Sequence, residues 1–308
     1  MNITFRQLQV FLAVARHQSI TAAAEACHVT QPTVSMQMKE LTDAVGLPLY
    51  EQIGKRLYLT AAGEAVAETA RVMADEWANL QQVIDGMKGH RTGRLRVAIA
   101  STAKYFVPRM LADFSKAFPE VDISLEVQNR DGVVQRLRQN ADDLYVMSMP
   151  PDDIALEQHA FLDNPLVLIS SLSHPLAKKR KLTYADIADE PFVLREPGSG
   201  TRRACNAHFE RTRFRPKVRM EVGSNEAIKQ VVAGGLGLSV ISIHALAPVH
   251  QEEGLAVLRH EHFPIQSTWS AIYPRGKRLS PVAVEFMEHM DRSVRALRSG
   301  KPAGQQKD

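Results

Sequence analysis

The run Ser19-Ile20-Thr21-Ala22-Ala23-Ala24-Glu25-Ala26-Cys27-His28-Val29-Thr30-Gln31-Pro32-Thr33-Val34-Ser35 decides the fold of the first sixty residues. Its first part predicts a short helix from about Thr21 to Ala26, rich in alanine and so able to pack closely on a neighbour. Cys27-His28-Val29 reads as a turn. Thr30 then offers an N-cap hydroxyl, and Pro32 falls in the first turn of the next helix, where a missing N–H does no harm. Val34, Met38, Leu41 and Val45 recur as the buried stripe of that helix, and Gly46 ends it. Upstream, Thr4 and Gln7 have the spacing of a capping box, opening a helix with Phe5, Leu8, Phe11, Leu12 and Ala15 on one face. Helix, alanine-rich helix, tight turn and capped helix form a helix-turn-helix, whose third helix enters the major groove by its N-terminal end. The positions left outside there are Gln31, Pro32, Thr33, Ser35, Met36 and Lys39. Glutamine can bond adenine twice, hydroxyls suit several base edges, and Met or Pro can touch a thymine methyl. A three-helix bundle with a polar outer face would show the same pattern.

The next stretch narrows the choice. Leu49-Tyr50-Glu51-Gln52-Ile53-Gly54-Lys55-Arg56-Leu57-Tyr58-Leu59-Thr60 sets two basic residues in a turn between short extended runs. This predicts a wing in which Lys55 and Arg56 reach phosphates or a minor groove; taken alone, the pair also suits a solvated hairpin tip.

Bulk properties bound the rest. The chain has 308 residues, 44% hydrophobic and 23% charged, which is an ordinary globular balance and calls for two or three domains. A net charge of +4 is weak support for a nucleic-acid partner, and residues 1–60 carry only five basic against four acidic side chains. The two cysteines, Cys27 and Cys205, lie far apart, so neither a disulfide framework nor zinc spacing can be built, and a reducing compartment fits. The opening MNITFRQLQVFLAVARHQS lacks a basic segment and a small-residue cleavage site. With no apolar run approaching a membrane span, a cytoplasmic protein without a membrane partner is expected.

From Thr60 to about Lys88 a long helix is expected, roughly 40 Å at ~1.5 Å per residue. Val66, Ala70, Met73, Trp77, Leu80, Ile84 and Met87 recur at alternating spacings of four and three, with Leu59 and Gly63 extending the series upstream. The other faces carry Glu64, Glu68, Arg71, Asp75, Glu76, Gln81 and Asp85. So narrow a stripe suits a partner helix and predicts a homodimer, hence two recognition helices on two half-sites. The competing reading is a surface helix packed on its own chain.

After a hinge at Gly86-Met87-Lys88-Gly89-His90, strand and helix signals alternate to the end, an α/β pattern with largely parallel sheets expected. Strands are expected at 95–100, 121–128, 144–148, 165–170, 191–195, 238–242 and 267–273. Helices are expected at 102–117, 131–139, 201–212, 225–233 and 281–298. Two strand-to-helix turns have the makings of anion sites. Ser101 and Thr102, with Lys104, put hydroxyls and free N–H groups at a helix N-terminus. Arg195-Glu196-Pro197-Gly198-Ser199-Gly200-Thr201-Arg202 adds glycines that let backbone approach a ligand and guanidiniums that donate in pairs. Asn129-Arg130 and Asn225 could face the same cleft. Capping and tight turns are the plainer readings of each. Gly234-Gly235-Leu236-Gly237 precedes a strand, so it reads as a helix stop rather than a dinucleotide fingerprint. His244, His250, His260 and His262 lack partners at metal-ligand spacing. No catalytic set stands out, so an enzyme is not expected.

The matched positions Leu8-x-x-Phe11, Ser19 to Ala24, Val29 to Ser35, Leu41, Gly46, Leu49-Tyr50-Glu51 and Leu59-Thr60-x-x-Gly63 resemble the LysR-type DNA-binding domain. Gln52 and Lys55 stand where that family usually has arginine, and Met36 where it is often polar, so Arg56 is left to supply wing contacts. The resemblance implies an α+β multidomain architecture. A winged helix-turn-helix (1–60) is followed by a linker and dimerisation helix with its hinge (61–91). A periplasmic-binding-protein-like effector domain then has one subdomain of 92–163 with 267–298 and a second of 164–266, and residues 299–308 form a solvated tail. The chain would cross near Asp163–Pro165 and return near Pro264–Ser267.

Ser101 to Phe106, Asn129-Arg130, Asp142 to Met147, Asn164 to Val167 and Arg195 to Thr201 look closer still to CbbR-type regulators of carbon-fixation operons. That implies control of Calvin-cycle genes, including RuBisCO, with a co-inducer such as a sugar phosphate or NADPH and no permanent cofactor. The residues expected around it are Ser101, Thr102, Lys104, Asn129, Arg130, Arg195, Gly198, Ser199, Thr201, Arg202 and Asn225. The implied partners are double-stranded promoter DNA, further copies of the chain up to a tetramer, and RNA polymerase. A LysR-type regulator of another operon with a different small anionic co-inducer is the alternative. A solute-binding protein has no need of residues 1–60.

Overall fold

A computed structural model of the chain describes residues 2–54, 56–87 and 92–298. It divides into two compact units, Met1–Ile84 and Asp85–Asp308. The first is built on α1 (Phe5–His17), α2 (Ile20–Ala26), α3 (Gln31–Val45), the hairpin β1 (Tyr50–Ile53) and β2 (Arg56–Leu59), and the greater part of α4 (Ala61–Met87).

Local chemistry sets these boundaries. The capping box at Thr4 and Gln7 is formed, Ser19 caps α2, and Thr30 caps α3 with Pro32 in the first turn. His28 takes a positive φ of 54° in the turn, and Gly46 closes α3 at φ 77°. Buried Val34, Met38 and Leu41 meet Leu8, Phe11, Ala23 and Ala24 in one core. Val10 and Val14 are buried as well, beyond the single face expected for α1. That helix touches α2, α3 and β2, so apolar positions on more than one side find cover.

Thr60 accepts the Gly63 N–H at 3.0 Å and donates to the Pro48 carbonyl at 2.6 Å, which fixes the start of α4. The first turns of this helix belong to the head. Ala67 and Ala70 are buried in the head core, with Val66 half-buried against it. Ala70 and Val66 were expected on a dimer seam; in this chain they pack on their own head instead. Small side chains are what allow the helix axis to lie that close.

The second unit opens with β3 (Gly93–Ala100), a 3-10 turn over Ser101–Tyr105, α5 (Val107–Ala117), β4 (Val121–Gln128), α6 (Arg130–Arg138), β5 (Leu144–Met147) and β6 (Leu156–Asp163). Then come β7 (Leu166–Ser171), α7 (Tyr184–Ile187), β8 (Pro191–Arg195), α8 (Gly200–Thr212), β9 (Lys217–Val222), α9 (Asn225–Ala233), β10 (Ser239–Ser242) and β11 (Leu255–Val257). β12 (Thr268–Pro274) and α10 (Pro281–Arg298) complete the chain. Two separate cores define two lobes. One collects Leu95, Ile99, Phe114, Trp269 and Phe286; the other collects Leu168, Phe192, Phe209 and Val240, with Ile169, Ile228 and Ile241 beside it. The strands of the two crossings lie together, the Asn164 N–H donating to the Ser267 carbonyl at 2.8 Å.

The sheets are mixed rather than largely parallel. In the order β4-β3-β5-β12-β6, β3 runs parallel to β4 and β5, while β12 runs antiparallel to β5 and β6. In the other lobe β7 lies antiparallel to both β10 and β11, and β8 runs parallel to β9. The double crossing is the reason: a segment that leaves one lobe and returns inserts a reversed strand. The helix expected over 102–117 begins as a 3-10 turn and restarts at Val107, because Pro108 has no N–H to continue the ladder and suits only a first turn. Among the described residues no helix is long and apolar enough to cross a membrane, and no cluster of ligand-type side chains could hold a metal ion. The expected basic Lys55, the hinge residues 88–91 and the tail 299–308 lie outside the described residues.

Candidate nucleic-acid interface and anion cleft

The first turns of α3 present Gln31, Pro32, Ser35, Met36 and Lys39 to solvent, while Val34 and Met38 anchor the opposite face. Thr33 is half-buried. Its N–H and its hydroxyl both engage the Thr30 hydroxyl, at 3.4 and 2.9 Å. The leading N–H groups of α3 add the positive end of a helix dipole to this surface. Met36 is 54% exposed, so its thioether is open to a partner surface. In the hairpin, Gly54 turns at φ 64° and Arg56 is exposed. A polar helix end and a hairpin with an exposed guanidinium are the parts with which a head can engage base edges and phosphates.

Further along α4, Met73, Trp77, Leu80 and Ile84 are each 40% exposed or more. One tilted ring contact, Phe5 to Trp77 at 5.8 Å between centroids, ties this stripe to the head.

The second unit brings the other expected residues to the junction of its lobes. Arg195, at the end of β8, is 2% exposed. Its Nε and Nη2 donate to Glu196 at 2.8 and 3.0 Å, Nη1 donates to Asn225 Oδ1 at 2.9 Å, and Nη2 reaches the Ser101 hydroxyl at 3.3 Å. Asn225 Nδ2 in turn donates to the Thr102 hydroxyl at 3.0 Å. Thus one buried guanidinium and one amide connect the start of α9 to the turn after β3, across the lobes. Beside them Glu226 takes Lys104 Nζ at 2.9 Å and the Tyr105 hydroxyl at 2.5 Å. Burial opposes ionisation of Glu226, but the bonds from Lys104 and Tyr105 outweigh it and bring its pKa down to about 2. Burial and the Glu226 carboxylate push the Tyr105 phenol up, so it remains a donor.

On the other side of the junction, Arg130 is 5% exposed and donates from Nε to the Met149 carbonyl at 2.6 Å. Asn129 caps α6 through Oδ1. The Asp131 N–H donates to the Gly198 carbonyl at 3.2 Å, again across the lobes. At Gly198 an added Cβ would stand 2.9 Å from Asn129 Nδ2, so a side chain would separate the two loops. Ser199 is 3% exposed and its hydroxyl makes no capping bond at the start of α8, while Thr201 is 6% exposed in the first turn. A spare hydroxyl and the unpaired leading N–H groups of a helix, flanked by Arg130 and Arg195, suit an anionic group.

Arg202 departs from expectation. Its Nη1 donates to the Arg195 carbonyl at 2.7 Å and to Glu221 at 2.6 Å, and its Nε donates to Asn206. It braces β8 against β9 and rims a separate hollow with Arg213 and Phe214. On a helix that buries Thr201, Ala204 and Cys205, position 202 points to another side. Conversely, Tyr105, Glu196 and Glu226 stand in the site although they were not among the expected ligand contacts. Carboxylates look wrong for an anion site until the cations they neutralise are seen beside them.

Comparison with known proteins agrees with both regions. Residues 5–64 match the family model described as "Bacterial regulatory helix-turn-helix protein, lysR family", and residues 88–295 match "LysR substrate binding domain". The chain is 46% identical over 289 residues to the HTH-type transcriptional activator CmpR of Synechocystis, covering 94% of this chain and 95% of that one. It is 45% identical to the RuBisCO operon transcriptional regulator of Acidithiobacillus ferrooxidans, with 94% of each covered. Among solved structures, the Synechocystis CcmR regulatory domain in complex with 2-PG superposes with a TM-score of 0.64 at 43% identity, covering 66% of this chain and 98% of that one.

Proposed function

The chain belongs to the LysR family of transcriptional regulators, and from that premise we propose that it controls carbon-fixation genes in response to a small phosphorylated metabolite. The observation that carries the reading is the buried Arg195, bonded to residues of both lobes beside a spare Ser199 hydroxyl. Glu196 already offsets the cost of burying this guanidinium, so what favours an anionic ligand here is the set of donors gathered with it, the hydroxyls of Ser101 and Thr102. The 2-PG bound by the similar CcmR domain is a phosphorylated acid of that kind. Sugar phosphates and NADPH carry the same group.

Gln31, Pro32, Thr33, Ser35, Met36 and Lys39 read base edges or neighbouring phosphates in a promoter's major groove, and Lys55 and Arg56 serve the wing. Met73, Trp77, Leu80 and Ile84 pair two copies, so two heads meet two half-sites, and pairs of dimers form a tetramer. The protein acts in the cytoplasm and signals to RNA polymerase. Ligand binding favours one arrangement of the lobes over another and so alters how the assembled heads hold and bend DNA.

Footprinting on a RuBisCO-operon promoter, with and without 2-phosphoglycolate, ribulose bisphosphate or NADPH, tests this. One of these metabolites should change the footprint and raise the melting temperature of the protein. A footprint and melting temperature indifferent to all three would remove the phosphorylated-effector reading.

A further inference from the structure

Every cation of the cleft is already matched by one of the protein's own carboxylates. Arg195 holds Glu196, Arg130 holds Asp131 at 3.1 Å, and Lys104 holds Glu226 at 2.9 Å. The first two pairs join sequence neighbours and lie within a single lobe. The third joins the turn after β3 to α9, from one lobe to the other, and its partners are 38% and 47% exposed. Solvent, and therefore a ligand, can reach it.

We infer that Glu226 is a resident anion that competes with the ligand for Lys104, so that ligand entry breaks the Lys104–Glu226 bond between the lobes. The inference rests on the reading of the cleft as the site of a phosphorylated effector. A phosphoryl group carries about 1.5 to 2 negative charges at neutral pH and three strong acceptor oxygens, so it outbids a single carboxylate for an ammonium. Glu226 does not leave by taking a proton, because its pKa of about 2 keeps it charged. Once Lys104 has turned to the ligand, Glu226 faces a like charge and is driven from it. A contact that holds the lobes in one arrangement is thereby exchanged for one that does not, which supplies the differential interaction a population shift requires.

The opposite role is a simple clasp, in which Glu226 helps the lobes close on the ligand. The two roles predict opposite signs for E226Q, which keeps an acceptor for the Tyr105 hydroxyl and removes the charge. Calorimetric titration of the full-length protein with 2-phosphoglycolate should show E226Q binding about two- to fivefold more tightly than the wild type. The gain should shrink as salt is raised, and should shrink likewise when E226Q is made in a Lys104→Met background, where there is no ammonium to release. Unchanged or weaker binding by E226Q, with the wild type binding normally, overturns the resident-anion role and leaves the effector reading intact. If neither protein binds 2-phosphoglycolate, ribulose bisphosphate or NADPH, the effector reading falls and takes this inference with it.

Discussion

Gly63 illustrates how much a single residue can fix. An added Cβ would stand 1.9 Å from the Leu49 carbonyl oxygen, whose N–H···O bond from Thr60 closes the wing onto α4. Backbone atoms cannot swing aside as a flexible side chain can. Gly63→Ala should therefore push α4 off the head and cost about 1–3 kcal/mol, as overpacking does. Thermal or denaturant unfolding of the full chain would measure this, and a melting temperature equal to the wild type would show that the helix has room to move. Arg202 makes the converse point. Its charge and place after a glycine turn suit a ligand contact, yet its bonds go to Glu221 and the Arg195 carbonyl. It supports the end of β8, and hence Arg195, from outside the cleft.

At the scale of the element, α4 divides into two parts with different duties. As far as Ala70 its apolar side chains are spent on the head core. From Met73 onward they are open, with Met73, Trp77 and Leu80 at 46%, 52% and 48% exposed. Apolar side chains spaced for a coiled coil and left about half in water would each return about 1 kcal/mol on burial against a partner, roughly half the figure for a fully exposed one. Replacing Leu80 and Ile84 together by glutamate should convert the assembled protein to smaller species in sedimentation equilibrium, with the heads still folded. An unchanged mass would mean that this stripe serves another purpose.

Across the effector unit as a whole, two buried histidines, His208 and His260, and the half-buried His289 couple stability to pH. His260 and His208 lie in one lobe around Tyr184, and His289 packs between Phe114 and Phe286 in the other. Burial pulls all three below the ordinary histidine value. Arg211, His262 and His260 lower His208 further; at His260, His262 lowers the pKa while the Thr183 backbone, Glu261 and Asp186 raise it. Arg292 lowers His289, partly offset by Asp113, Glu285 and a backbone bond to Met110. The unfolded chain takes up these protons near pH 6.5 and the folded chain only at lower pH, so in between the unfolded state binds more protons. Stability is then complete above about pH 6.5 and declines as pH falls through the folded values. The melting temperature should drop between pH 7.5 and 5.5, and His289→Phe should flatten part of that slope. Glu226 and Asp186, with pKa values of about 2, lose their contribution only well below this window. A flat profile from pH 7.5 to 5.5 would deny the histidines this role.

The helix-turn-helix was legible in the amino-acid order because its signals are local. A threonine cap, a proline in a first turn, an alanine-rich helix and a terminal glycine each act within a few residues, and each stands in the structure where expected. Strands β4 and β8 and helix α9 were legible for the same reason, β8 as a short continuous apolar run and the other two as periodic segments between clear stops. Three strands were not. β6 and β9 are sheet edges with mostly exposed side chains, and β11, though its Leu255 and Ala256 are buried, is three residues long and too short for a period to show. The cleft stood between these cases. Ser101, Thr102, Arg130, Arg195, Ser199 and Asn225 could be nominated from turn chemistry. Which cations face one another, which is tied up elsewhere, and which carboxylates neutralise them depend on bonds spanning up to 123 residues, such as Asn225 to Thr102. Sequence fixes what a side chain can do, because that is covalent chemistry; the fold alone decides what it meets, because hydrogen bonds and ion pairs act over a few ångströms of space, whatever the distance along the chain.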